Sequence, residues 1–206
     1  MSAQTVGPVM KLKLPGWWPV FRWSHDEKYL AKVNSSKKMG AKPKDLDKIN
    51  LFEMVLVDED ADDRWSINKL SPTMTVSNLF TMEFSPTDNI LAYTTIANND
   101  DQSMVTLVQI PTRNTLKVQI LGYDVKKAHL YWQTEGTYLA VNMGHSGARS
   151  AWGVKDCAIA VISVKDRNMP FSKTERLGRV TFFAWEPAGD RFAVCFVPSK
   201  PTVFVW

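Results

Sequence analysis

The sequence predicts an all-β protein in which one antiparallel sheet is repeated four times. A hairpin motif recurs along the chain, the runs between hairpins alternate with the two-residue period of strands, and no useful window shows a 3.6-residue helical period. The 206 residues are 45% hydrophobic, 11% aromatic and 22% charged. That balance supports a packed core and excludes a mostly disordered chain. No apolar run reaches the roughly 18 residues of a membrane-spanning helix, and residues 1–19 lack the apolar segment of a secretory leader. The expectation is a cytoplasmic protein with no membrane partner. Cys157 and Cys195 have no CxxC spacing or neighbouring His and read as core thiols in a reducing compartment.

The repeats align as residues 21–33 (FRWSHDEKYLAKV), 81–95 (TMEFSPTDNILAYTT), 130–142 (LYWQTEGTYLAVN) and 183–196 (FAWEPAGDRFAVCF). Each reads as an aromatic, a polar or Pro-containing turn, and an apolar pair running into Ala. The anchoring aromatics are Trp23, Phe84, Trp132 and Trp185, spaced 61, 48 and 53 residues apart. They are expected at equivalent buried positions on the first hairpin of each repeat.

Each copy is a β-hairpin on physical grounds. In the fourth, Phe183 and Trp185 alternate onto one face, as a half-buried strand requires. Residues 186–190 then supply turn chemistry, Pro187 presetting φ and Gly189 tolerating a positive one. Residues 85–89 and 133–136 are the equivalent turns, and residues 24–27 keep an Asp in place of Pro or Gly. Third strands follow at residues 50–57, 105–110 and 159–164. After the turn at residues 111–114, residues 116–120 alternate again as an outer strand.

Four-stranded antiparallel sheets repeated every 40–60 residues are the signature of a β-propeller of the WD40 kind. One such sheet cannot bury both faces alone and must stack on its neighbours. The blades are expected near residues 18–70, 79–121, 128–177 and 179–206, with inserted loops at 34–48 and 58–64. Only three strands are recognisable in the last blade. The whole chain, residues 1–206, therefore reads as part of a larger propeller.

Chemistry-bearing constellations are sparse. His25, His129 and His145 have no converging ligands at metal-site spacing. Residues 144–147 (GHSG) lack the spacing and the helix of a nucleophile elbow, and the acidic residues 58–63 lack the Gly and closing Glu of a calcium loop. No phosphate-cradling Gly-rich motif occurs. The expectation is a non-enzyme with no cofactor, metal or small-molecule substrate. Net charge is +4 and unevenly spread: five lysines fall in residues 37–48 and five acids in residues 58–63. Lys37, Lys38, Lys42 and Lys44, spaced by Gly40 and Pro43, are the candidate contacts for RNA phosphates or an acidic partner. Neutralisation by residues 58–63 is the alternative.

Several landmarks are specific. Residues 18–29 (WPVFRWSHDEKY), 105–113 (VTLVQIPTR), 130–139 (LYWQTEGTYL) and 183–194 (FAWEPAGDRFAV) occur in the order found in the b subunit of eukaryotic translation initiation factor three, which the chain resembles over residues 17–196. The resemblance implies the central part of a nine-bladed propeller that rests on the small ribosomal subunit, contacting rRNA and ribosomal proteins, with mRNA as a further contact. It also implies partnership with the factor's a, i and g subunits. The family's RNA-recognition motif and helical tail are not matched here, and the inserts at 34–48 and 58–63 depart from its pattern, as in a divergent eukaryotic lineage. The implied function is a non-catalytic scaffold in initiation. A WD-type adaptor outside translation and a propeller-based enzyme are the alternatives.

Overall fold

The computed structural model describes residues 21–34, 46–56, 65–96, 102–122, 124–146, 154–174, 178–197 and 202–205. They form fifteen strands and no helix. The strands build four antiparallel sheets in chain order. The first holds β1 (Phe21–Trp23), β2 (Tyr29–Asn34), β3 (Asp47–Leu56) and β4 (Trp65–Val76). The second holds β5 (Leu79–Phe84), β6 (Ile90–Thr95), β7 (Ser103–Gln109) and β8 (Thr115–Gly122). In the third are β9 (Val125–Trp132), β10 (Tyr138–Ser146), β11 (Val154–Ser163) and β12 (Phe171–Lys173). The fourth has β13 (Arg179–Trp185), β14 (Arg191–Val197) and β15 (Thr202–Val205). Every sheet is a meander, each strand pairing with the next in sequence. The sheets follow one another as the blades of a β-propeller, with β1, β5, β9 and β13 innermost.

Three apolar layers hold the four sheets together. Tyr29, Ala31, Val33, Ile49 and Leu51 of the first sheet meet Met82, Phe84, Leu91 and Val108 of the second. Ala92, Val105 and Leu107 meet Ala128, Leu130, Leu139, Val141 and Met143. Ala140, Ile159 and Val161 meet Phe183, Phe192 and Val194. Covered on both faces, the middle strands are nearly continuous apolar runs. β2 is buried from Tyr29 to Val33, and β6 is buried at every position but Tyr93.

Outer strands differ. The alternation of residues 116–120 predicts a half-buried face, yet Leu116, Val118 and Ile120 of β8 are exposed. Lys117 and Gln119 pair with Leu107 and Val105 on the face that meets the third sheet, where Leu121 is buried. Leu116, Val118 and Ile120 lie on the opposite face, and sheets packed around an axis diverge with distance from it, so the first sheet does not cover that face of the outermost strand.

One anchoring aromatic also departs from expectation. Phe84 is buried, Trp132 and Trp185 are half-buried, and Trp23 is 50% exposed. The reason is directional. Phe84 packs into the layer shared with the first sheet, Trp132 into the layer shared with the second, and Trp185 into the layer shared with the third. Each anchor thus points at the preceding sheet. No described sheet precedes the first, and Trp23 lies on an open flank beside Met54 and Trp65.

Candidate functional site

The four hairpin turns form one end of the molecule, and a shared backbone bond sets their shape. The residue after each anchoring aromatic donates its amide to the carbonyl five residues on. The pairs are Ser24 to Tyr29 at 2.8 Å, Ser85 to Ile90 at 2.8 Å, Gln133 to Tyr138 at 2.9 Å and Glu186 to Arg191 at 2.9 Å. Side chains at three of these positions reinforce the turn. Ser24 Oγ accepts from the Tyr29 amide at 2.8 Å, Ser85 Oγ from the Asp88 amide at 3.3 Å, and Gln133 Oε1 from the Thr137 amide at 3.1 Å. A small polar residue can stand in for backbone partners in this way, which is why turns favour it.

The turns are also fastened to one another. Asn89 Nδ2 of the second turn donates to Asp26 Oδ2 of the first at 2.8 Å. Thr87 Oγ1 of the second lies 3.2 Å from the Glu135 carbonyl oxygen of the third. Gln133 Nε2 of the third donates to the Gly189 carbonyl of the fourth at 3.0 Å. Lys165 Nζ, from the loop before β12, reaches Asp88 Oδ2 at 2.7 Å. Just beneath, Arg22 of β1 clasps both oxygens of Glu83 on β5, at 2.5 and 2.6 Å. Gly136 closes the third turn at a φ of +68°, and a Cβ there would lie 2.1 Å from Thr87 Oγ1. Only glycine suits both the backbone and that approach. The result is a continuous polar belt in which four turns from distant parts of the sequence hold fixed positions.

Electrostatics follow from the belt. Partial burial works against the Asp26 carboxylate, but hydrogen bonds from Asn89, Ser24 and the Lys28 amide outweigh it and hold its pKa at about 2. The hydrogen bond from Lys165 likewise keeps Asp88 below the usual carboxylate range. Both groups are anionic at neutral pH.

The sequence-predicted contact residues Lys37, Lys38, Lys42 and Lys44 lie outside the described residues, as do the acids of residues 58–63. In sequence the lysines fall between β2 and β3 and the acids between β3 and β4. Sequence reasoning missed the belt, because Asn89, Thr87 and Gln133 read only as turn residues. Their partners become visible once the turns are brought side by side.

A family model described as "Eukaryotic translation initiation factor eIF2A" matches residues 122–204. Curated relatives include the B subunit of eukaryotic translation initiation factor 3 from Xenopus laevis, 28% identical over 180 residues, covering 86% of this chain and 22% of that protein. The protein of the same name in Arabidopsis thaliana is 30% identical over 189 residues, covering 86% of this chain and 23% of that protein. This chain thus spans about a quarter of the length of the curated relatives it matches. Among solved structures, the β-propeller domain of the trilobed protease from Pyrococcus furiosus superimposes with a TM-score of 0.53 at 13% identity, covering 91% of this chain and 53% of that one. That likeness is one of fold. Built as successive blades of a β-propeller, the chain is a relative of the B subunit of eukaryotic translation initiation factor 3, matched over most of its own length.

Proposed function

We propose that this chain is a rigid, non-catalytic scaffold segment of the translation initiation factor three complex in the cytoplasm, docking on the small ribosomal subunit. The observation that carries the reading is the similarity to the factor's B subunit across 86% of the chain. The polar belt supplies a physical mechanism for it. A surface that must touch protein and rRNA together has to hold loops from separate blades in fixed register, and bonds between neighbouring turns lower the entropy lost on docking. The a, i and g subunits are the partners the family resemblance suggests, with mRNA as a further contact. In this reading Lys37, Lys38, Lys42 and Lys44 contact rRNA phosphates.

The test is co-sedimentation. Tagged at its own locus, the protein should travel with small ribosomal subunits in gradients of cell extract at moderate salt, and its purification should recover other components of the factor. Absence from the small-subunit fractions overturns docking. Purification without any initiation-factor component would favour an adaptor outside translation.

A further inference from the structure

Between the third and fourth sheets, at the end away from the hairpin turns, a cleft of about 260 Å³ is lined by Lys127 and His129 of β9, Asn142 and Gly144 of β10, Cys157 of β11, and Arg179 and Val180 of β13. Strand register explains the grouping. Lys127 pairs with Gly144 and His129 with Asn142, while Gly144 also pairs with Cys157, so all five side-chain positions share the face turned toward the fourth sheet. Glycine at 144 leaves the floor open. Arg179 and Val180, the first residues of β13, form the opposite wall.

Lys127 and Arg179 are both cationic, and among the described residues neither forms an ion pair. Asp156 is the carboxylate near the Cys157 thiol, which burial, the largest effect, pushes up and keeps neutral at physiological pH. His129 is held below the usual imidazole range, first by burial of its ring, which meets Phe80 edge-on at 5.1 Å, and then by the charge of Lys127. Asn142 is nine-tenths buried, its side chain hydrogen-bonds the Tyr131 phenol, and its Oδ1 has no partner among the described residues. A buried amide oxygen without a donor is costly unless a ligand supplies one.

We infer that this cleft binds one phosphate–ribose unit of single-stranded RNA, the phosphate between Lys127 and Arg179 and a ribose or base donor on Asn142 Oδ1. Two cations alone would fit any anion. The unpaired acceptor beside them asks for a ligand that also carries a hydroxyl or N–H, which a ribonucleotide does. The cleft is smaller than the roughly 300–1,000 Å³ that takes a whole small-molecule ligand, so a strand would seat one unit and continue outside. The inference rests on the ribosome-docking reading only in naming RNA as the polyanion the protein meets.

The experiment measures binding of a fluorescently labelled 12-nucleotide oligouridylate to the full chain by anisotropy across a salt series. Replacing both cations, Lys127→Ala with Arg179→Ala, should weaken binding at least tenfold and flatten the log–log salt slope by about 0.7 unit, the amount for one phosphate contact on a single strand. The charge-conserving pair Lys127→Arg with Arg179→Lys should retain most of the affinity. The deoxy counterpart of the oligonucleotide should bind more weakly to the wild type. No oligouridylate binding by the wild type, or an unchanged slope in the double-alanine variant, overturns the site. A phosphoserine peptide that displaces the oligonucleotide at equal concentration overturns the assignment to RNA. Retained co-sedimentation of the double-alanine variant with small ribosomal subunits would separate failure of the cleft from failure of docking.

Discussion

Trp185 and Trp23 occupy the same position in two copies of one motif, and truncating each to Ala should give very different results. The Trp185 indole Nε1 donates to the Tyr131 carbonyl at 2.8 Å across the gap between sheets. Its ring stacks on Tyr138 at 6.0 Å and meets Phe183 and Phe192 edge-on at 5.7 and 5.4 Å. The hydrogen bond is worth about 1 kcal/mol, and each aromatic pair about 0.5–1.5 kcal/mol beyond area burial. These terms overlap, and Trp185 is only half-buried, so Trp185→Ala should cost about 3 kcal/mol, the low end of the range for large core aromatics. Trp185→Phe keeps the ring contacts and should cost about 1–2 kcal/mol through the orphaned Tyr131 carbonyl. Trp23→Ala, on an open flank and 50% exposed, should cost under about 1 kcal/mol. Urea denaturation followed by far-UV circular dichroism reads all three, because the slope with denaturant reveals any change in cooperativity. Equal losses for Trp23→Ala and Trp185→Ala would refute the argument that each anchor is buried only by the sheet before it.

Three further outcomes follow from the belt and the lysine run. The Asp26 carboxyl, held at about 2 in the folded chain against 3.8 unfolded, contributes stability that is present above pH 4 and is lost as pH falls toward 2. Asp26→Asn should remove about 1 kcal/mol at pH 7 after allowance for solvent screening, and a pH series in which the variant and wild type differ equally at pH 2 and 7 would contradict this. Gly136→Ala should destabilise by about 1–3 kcal/mol, from the left-handed backbone and the approach to Thr87; adding Thr87→Ala should restore only part of it in a thermal melt, since the backbone strain remains. Replacing Lys37, Lys38, Lys42 and Lys44 with Ala should weaken binding to small ribosomal subunits and flatten its salt slope by up to about 3 units, whereas an unchanged slope would assign the run to solvent.

The hairpins, the strand order within each sheet and the absence of helix among the described residues were legible because they depend on short-range features. Alternation over five residues and a Pro, Gly or Asp in a four-residue turn are local statements, and the Ser24, Ser85, Gln133 and Glu186 turns repeat them. The resemblance to the initiation-factor family was legible for the same reason, as ordered short runs around those hairpins. What faces what was not. The motif around Trp23 matches the one around Trp185, yet burial depends on whether a sheet lies before it. Leu116, Val118 and Ile120 alternate like a core strand but sit where sheets diverge. Lys127 and Arg179 are 52 residues apart and share a cleft only because β9 and β13 are the innermost strands of adjacent sheets. A two-residue period and a turn can be read along the chain, since their partners are a few bonds away. Exposure, charge pairing and clefts depend on neighbours across a sheet-to-sheet gap, and only the stacking of the blades supplies those.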